Sequence, residues 1–150
     1  MRDMEVDDFT CDPFVQRVDK PWGYEILFTP PGKPYVGKLI HVDATRRLSL
    51  QIHDGKWETL LLLRGRAEFQ IEDAGGVLRT VAMEPGKGYS VVPGQRHRLM
   101  ALDACEVVES STPESGTTYR LEDDAGRGHE TDTVRSSPNR GWASGGRRMP

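Results

Sequence analysis

Between residues 29 and 94 the chain is broken at short intervals by glycine- and proline-rich turn sequences: TPPGKP at 29–34, DG at 54–55, DAGG at 73–76, EPGKG at 84–88 and PG at 93–94. This punctuation leaves no room for a helix of ordinary length, and no intervening stretch carries apolar residues at helical spacing. What lies between the turns is short and rich in Val, Ile, Leu, Tyr and Phe. The spacing therefore predicts strands at YEILFT (24–29), YVGKLIHV (35–42), RLSLQIH (47–53), WETLLLLR (57–64), AEFQIED (67–73), VLRTVA (77–82), YSVVP (89–93), HRLMAL (97–102) and CEVVES (105–110). Strands at this density imply an all-β jelly roll. The 36% hydrophobic content of 150 residues supplies one core for it if the ends stay outside.

From residue 126 the composition turns to GRGHETDTVRSSPNRGWASGGRRMP, with too little apolar surface to offset its ordering entropy. The expected organisation is a flexible arm at 1–14, a barrel at 15–127 and a disordered tail at 128–150. Trp142 and the closing GGRRMP offer a docking element for a partner, with a flexible terminus the stronger reading. A net charge of −3 made of many charges of both signs gives no general attraction for nucleic acid or an anionic membrane. Cys11 and Cys105 are too few for a disulfide framework, the first residues contain no apolar leader, and no run reaches membrane-spanning length. The sequence reads as cytoplasmic.

Chemistry concentrates in LSLQIHDGKWETLLLLRG, residues 48–65. Strand alternation puts Gln51 and His53 on one face. If Asp54-Gly55 forms a two-residue hairpin turn, His53 pairs with Lys56 and Gln51 with Glu58, and all four share that face. An amide oxygen, an imidazole and a carboxylate are donors that divalent Zn, Fe, Mn or Ni accept. His97, opening a strand after Pro93-Gly94, is a further imidazole that folding can bring to the same wall. The plainer reading leaves Gln51, His53 and Glu58 as solvated hairpin residues and His97 as a loop residue.

From about Val15 to Arg127 the chain resembles the cupin domain of mannose-6-phosphate isomerases, especially the type II form that also occurs fused to mannose-1-phosphate guanylyltransferases. The landmarks appear in order: KPWGYEILF, KLIHVDATRRLSLQIH, Glu58, Gly65, VVPGQRHRL and YRLEDDAGR. The resemblance implies a cupin double-stranded β-helix with His53, Glu58 and His97 at metal-ligand positions. Gly55 stands where the family has a second histidine, PGQRH is one residue shorter than the usual motif, and Ala125 replaces a tyrosine. Three ligand sets follow. Gln51 can complete the shell, as in the Gln-x-His pair of type I isomerases; His53, Glu58 and His97 can act as a triad; or the metal has been lost.

The resemblance further implies aldose–ketose isomerisation of a small phosphorylated sugar, with Glu58, Lys38 and Arg127 catalytic and Arg98 and Arg120 binding substrate. A small metal-dependent oxygenase or lyase and a metal-free binding module are the rival expectations. His41, on the face opposite Lys38, reads as structural, and Arg46 and Arg47 read as surface charge. Trp22 is expected to pack the barrel end or a dimer partner. Apolar residues on both faces of Leu60–Leu63 suggest a homodimer, the only macromolecular partner expected.

Overall fold

The structure is a computed structural model and describes residues 9–142. Eleven strands are present among them: β1 (Gln16–Lys20), β2 (Gly23–Leu27), β3 (Val36–Val42), β4 (Leu50–His53), β5 (Glu58–Arg64), β6 (Ala67–Glu72), β7 (Leu78–Ala82), β8 (Gly88–Val91), β9 (His97–Ala101), β10 (Cys105–Ser111) and β11 (Thr118–Glu122). They form a six-stranded sheet, β1-β2-β3-β10-β5-β8, and a five-stranded sheet, β11-β4-β9-β6-β7, with antiparallel pairing throughout. The inner faces close on one another as a jelly roll.

All nine expected strands form, with ends adjusted by a few residues. The Asp54-Gly55 hairpin does not. β4 pairs with β9 and β11 in one sheet, while β5 pairs with β10 and β8 in the other. Residues 54–57 therefore cross between sheets, and Gln51 stands opposite His97 and Arg120 instead of Glu58. The aspartate is used differently: its Oδ1 accepts from the Thr117 amide at 2.9 Å and its own amide donates to the Thr117 carbonyl at 3.2 Å. A local turn signal has been overridden by tertiary pairing.

The barrel interior has two layers. At one end Ile40, Val42, Leu60, Leu62, Phe69, Leu99 and Val107 are at most 3% exposed and form the apolar core, closed by Trp22. Cys105 lies in this layer, where burial pushes its thiol up to about 11. Moving along the same strands by two residues changes the chemistry. Lys38 precedes Ile40, Glu58 precedes Leu60, His97 precedes Leu99 and Glu109 follows Val107, all buried. The polar end is also where β11 lies, with Thr118 and Arg120 turned inward and Tyr119 and Leu121 exposed.

The tail expected from residue 128 is described as far as residue 142; residues 1–8 of the arm and 143–150 of the tail lie outside the described residues. Glu130 bridges to Thr118, a single helical turn α1 (Asp132–Arg135) follows with Thr131 as its N-cap, and a 3-10 turn spans Arg140–Trp142. Gly141 lies against the Asp19 backbone, and its carbonyl accepts from Arg127 at 3.4 Å. Charge pairing holds this segment where apolar surface does not. Glu130 pairs with Arg120 at 3.2 Å, Arg135 at 3.2 Å and Arg140 at 3.5 Å. Composition correctly reports the lack of hydrophobic surface but is blind to buried ionic contacts.

Gly65, at φ +85°, has room for no side chain: a Cβ there would lie 2.3 Å from the Ala104 carbonyl oxygen. Gly65→Ala should cost about 2–4 kcal/mol of unfolding free energy, measured by urea denaturation. A second outcome concerns acid. Burial would raise the Glu130 carboxyl, but Lys20, Arg140 and Arg120 hold it at about 2 against an ordinary 4.5. Its native value is depressed, so its contribution is complete above pH 4.5 and is lost as pH falls toward 2. That contribution is roughly 3 kcal/mol. Denaturation at a series of pH values should show this loss, and Glu130→Gln should flatten it.

Candidate metal centre

The strand register brings three of the residues expected as ligands together. His53 closes β4, Glu58 opens β5 and His97 opens β9. One ligand atom from each lies within 4.8 Å of the others, and their residues are only 2–5% exposed. Glu58 Oε1 is 2.9 Å from His97 Nε2 and 3.5 Å from His53 Nε2. The imidazoles are held from behind: His97 Nδ1 lies 3.0 Å from the Gln95 carbonyl, and His53 Nδ1 lies 2.9 Å from the Thr118 hydroxyl.

A carbonyl oxygen can only accept, so His97 Nδ1 carries a proton and its Nε2 turns inward as the second nitrogen. Nε2 then meets a carboxylate oxygen at 2.9 Å, a contact that requires either a second proton or a cation between them. His53 Nε2 is buried and has no hydrogen-bond partner. Burial pushes the His53 imidazole down, favouring its neutral, ligating form. Burial would also raise Glu58, but the Lys56 ammonium, 2.8 Å from Oε2, and the two imidazoles hold it well below the usual carboxylate range. Two imidazole nitrogens and an ionised carboxylate, one nitrogen unpartnered, fit a divalent cation.

Gln51 is the natural fourth member. It stands opposite His97 in the ladder, its amide nitrogen is 3.4 Å from His97 Nε2, and its Oε1 accepts from the Ser49 hydroxyl at 2.9 Å. Turning the amide over presents its oxygen to the site, with Ser49 then accepting instead of donating. At Gly55, where the resemblance places a second histidine, a Cβ would meet only Ser115, at 3.8 Å. The shortened PGQRH turn still delivers His97 to the inner wall, with the Gln95 carbonyl orienting it.

The remaining residues divide. Lys38, Arg120 and Arg127 line the cavity beside the centre, but each is already paired: Lys38 with Glu114 and Glu25, Arg120 with Glu130, and Arg127 with Asp123 at 2.8 Å. Arg98 does not line it. Alternation along β9 places it on the face opposite His97 and Leu99, where it donates to the Leu48 carbonyl at 2.8 Å and pairs with Glu122 at 2.9 Å. The sequence reading missed Lys20, Glu25, Glu109, Glu114 and Arg140, which complete the cavity wall. Strand parity could have found Glu109, which shares a face with Cys105 and Val107; Glu114 and Arg140 carry no such signal. Trp22 packs the barrel end, and His41 stacks on Tyr24 outside the barrel at 4.8 Å.

No protein-family model and no curated protein matches this sequence. The finer resemblance to mannose-6-phosphate isomerases therefore rests on the motifs alone. Among solved structures, the chain is similar to Bacillus subtilis oxalate decarboxylase, in a study of that enzyme's Mn(II) centres, with TM-score 0.60 and 20% identity over 73% of this chain. A structure of the same enzyme at pH 4.6 gives TM-score 0.60 and 19% identity over the same share. The match spans 30% of those longer chains. No helix among the described residues is long and apolar enough to cross a membrane. Two antiparallel sheets closed as a jelly roll, shared with these neighbours, give this chain the cupin fold.

Proposed function

We propose that the chain is a metal-dependent enzyme of the oxygenase or lyase type acting on a small polar substrate. The observation that carries this reading is the convergence of His53 Nε2, unpartnered and buried, with His97 Nε2 and Glu58 Oε1. A divalent ion bound there would supply Lewis acidity and, if redox-active, electron transfer to a bound oxygen-containing substrate. The chain's own residues supply the rest. Thr118 and Gln95 fix the imidazoles, Lys56 orients Glu58 and neutralises its second oxygen, and the closed barrel excludes water.

Size and charge argue for a small substrate. Only about 50 Å³ of the cavity is open to a water-sized solute. That is room for a few waters, well short of a hexose phosphate. The isomerase reading is favoured by Gln51, which forms a Gln-x-His pair with His53 and lies beside His97. Against it, Arg98 faces away, and Arg120 and Arg127 are engaged by Glu130 and Asp123. Mn, Fe, Zn and Ni all suit the donors, and manganese, named for the oxalate decarboxylase neighbour, is the first to test. A homodimer is part of the proposal, supported by the aliphatic row Ile26, Leu39, Val108 and Leu61 across the outer face of the six-stranded sheet.

Purified protein should contain stoichiometric divalent metal by elemental mass spectrometry, and His53→Ala or His97→Ala should lose it. Metal-free wild type with normal folding would reject the reading. Thr118→Val should weaken metal affinity by about 10- to 100-fold while the fold persists. With metal restored, a panel of small carboxylic acids should give carbon dioxide release or oxygen uptake. Interconversion of mannose 6-phosphate and fructose 6-phosphate would instead establish the isomerase. Light scattering that returns a monomer mass would remove the dimer.

A further inference from the structure

The polar layer balances its charge through one residue that belongs to no sheet. Leaving out Arg127, whose charge is matched by Asp123, five basic side chains and five glutamates line the cavity. Four of those glutamates come from strands or from the docked C-terminal segment. The fifth, Glu114, hangs from the 112–117 connection between β10 and β11. Its Oε1 is bound by Lys38, with Lys56 Nζ at 3.9 Å; its Oε2 is bound by Arg140, with Arg135 at 3.8 Å. Lys56 simultaneously holds Glu58, so the Glu114 carboxylate lies one ammonium group away from the metal centre.

We propose that Lys38 and Lys56 form the anion subsite of this cavity and that Glu114 is its built-in occupant, displaced when a carboxylate of a small dicarboxylic acid binds. The proposal deepens the metal-enzyme reading and rests on it only for where the second carboxylate goes. The metal-centre residues are closed off, so a substrate must move something. The lysines sit on or beside sheet strands, whereas Glu114 sits on a connection without ladder bonds. Its withdrawal alone would leave Lys38 with Glu25 at 3.6 Å as its remaining ion-pair partner and the buried cavity with one excess positive charge. Such a charge is strongly unfavourable in a barrel interior, so opening is coupled to the arrival of an anion. Burial would lower Lys38, yet Glu114, Glu25 and Glu109 raise it, so it remains a cation for the incoming carboxylate.

Malonate is the probe, titrated calorimetrically into the full chain. Glu114→Gln removes the internal competitor and should tighten malonate binding by about tenfold or more. Gly116→Ala removes no cavity side chain but sets a Cβ 2.1 Å from Asp54 Oδ1, at a φ of +73°, and so loosens the loop anchor. It should tighten binding in the same direction. Lys38→Met added to either variant should abolish the gain. If both loop variants bind malonate no more tightly than wild type, the proposal is overturned; if Glu114→Gln does not fold, Gly116→Ala alone decides. Metal content measured on the same samples separates the two readings. A malonate gain without metal upholds the subsite and sinks the metal enzyme, and metal without a malonate gain does the reverse.

Discussion

A low-polarity interior tolerates ionised groups only in matched sets, and the polar half of this barrel depends on that constraint. Lys38, Lys56, Glu25, Glu58 and Glu109 are all below 10% exposed, and each has an oppositely charged group within 4 Å. Such a set adds little net stability compared with an apolar core, but removing one member leaves its partner uncompensated. The layer therefore acts as a unit. It holds the C-terminal segment through Glu130 and Arg140, the 112–117 loop through Glu114 and the metal-ligand carboxylate through Lys56.

The two layers serve different ends. Phe69, Leu62 and Val107 supply the burial that keeps the sheets together, and the strands then carry chemistry two residues farther along. Leu60 leads to Glu58 and Leu99 to His97, so each ligand is positioned by a packed neighbour on its own strand. A site built on strands in this way is better fixed than one built on loops. Of the cavity carboxylates, Glu130 comes from the docked C-terminal segment and Glu114 from a connection between strands, and the different role proposed for Glu114 follows from that support.

What could be read from the sequence follows the same division. Strands whose inward residues are apolar were legible, as in VGKLIHV and ETLLLLR. β1 and β11 were not, because QRVDK buries its lysine while Val18 is only half-buried, and TYRLE buries its threonine and exposes Tyr119 and Leu121, which an alternation rule would bury. His53, Glu58 and His97 were legible because motif order placed them, and their convergence bears on that reading directly. The Asp54-Gly55 hairpin failed because turn chemistry reports local preference, not which sheet the next strand joins. Arg98 lies one position of strand parity away from His97, on the opposite face, and the contacts of residues 128–142 are ion pairs, which leave no compositional trace.

The Asp54–Thr117 contact ties the loop to the site. Thr117 is bonded through its amide and carbonyl to the residue after His53, and Thr118, next in the chain, supports the His53 ring. Loop and ligand are therefore parts of one linkage only two residues long. Displacing 112–117 pulls on the group that sets the imidazole's orientation, so access to the cavity and ligand alignment vary together. A metal held by His53 would then have its ligands aligned only in the closed state, with the contents of the cavity already sealed from solvent.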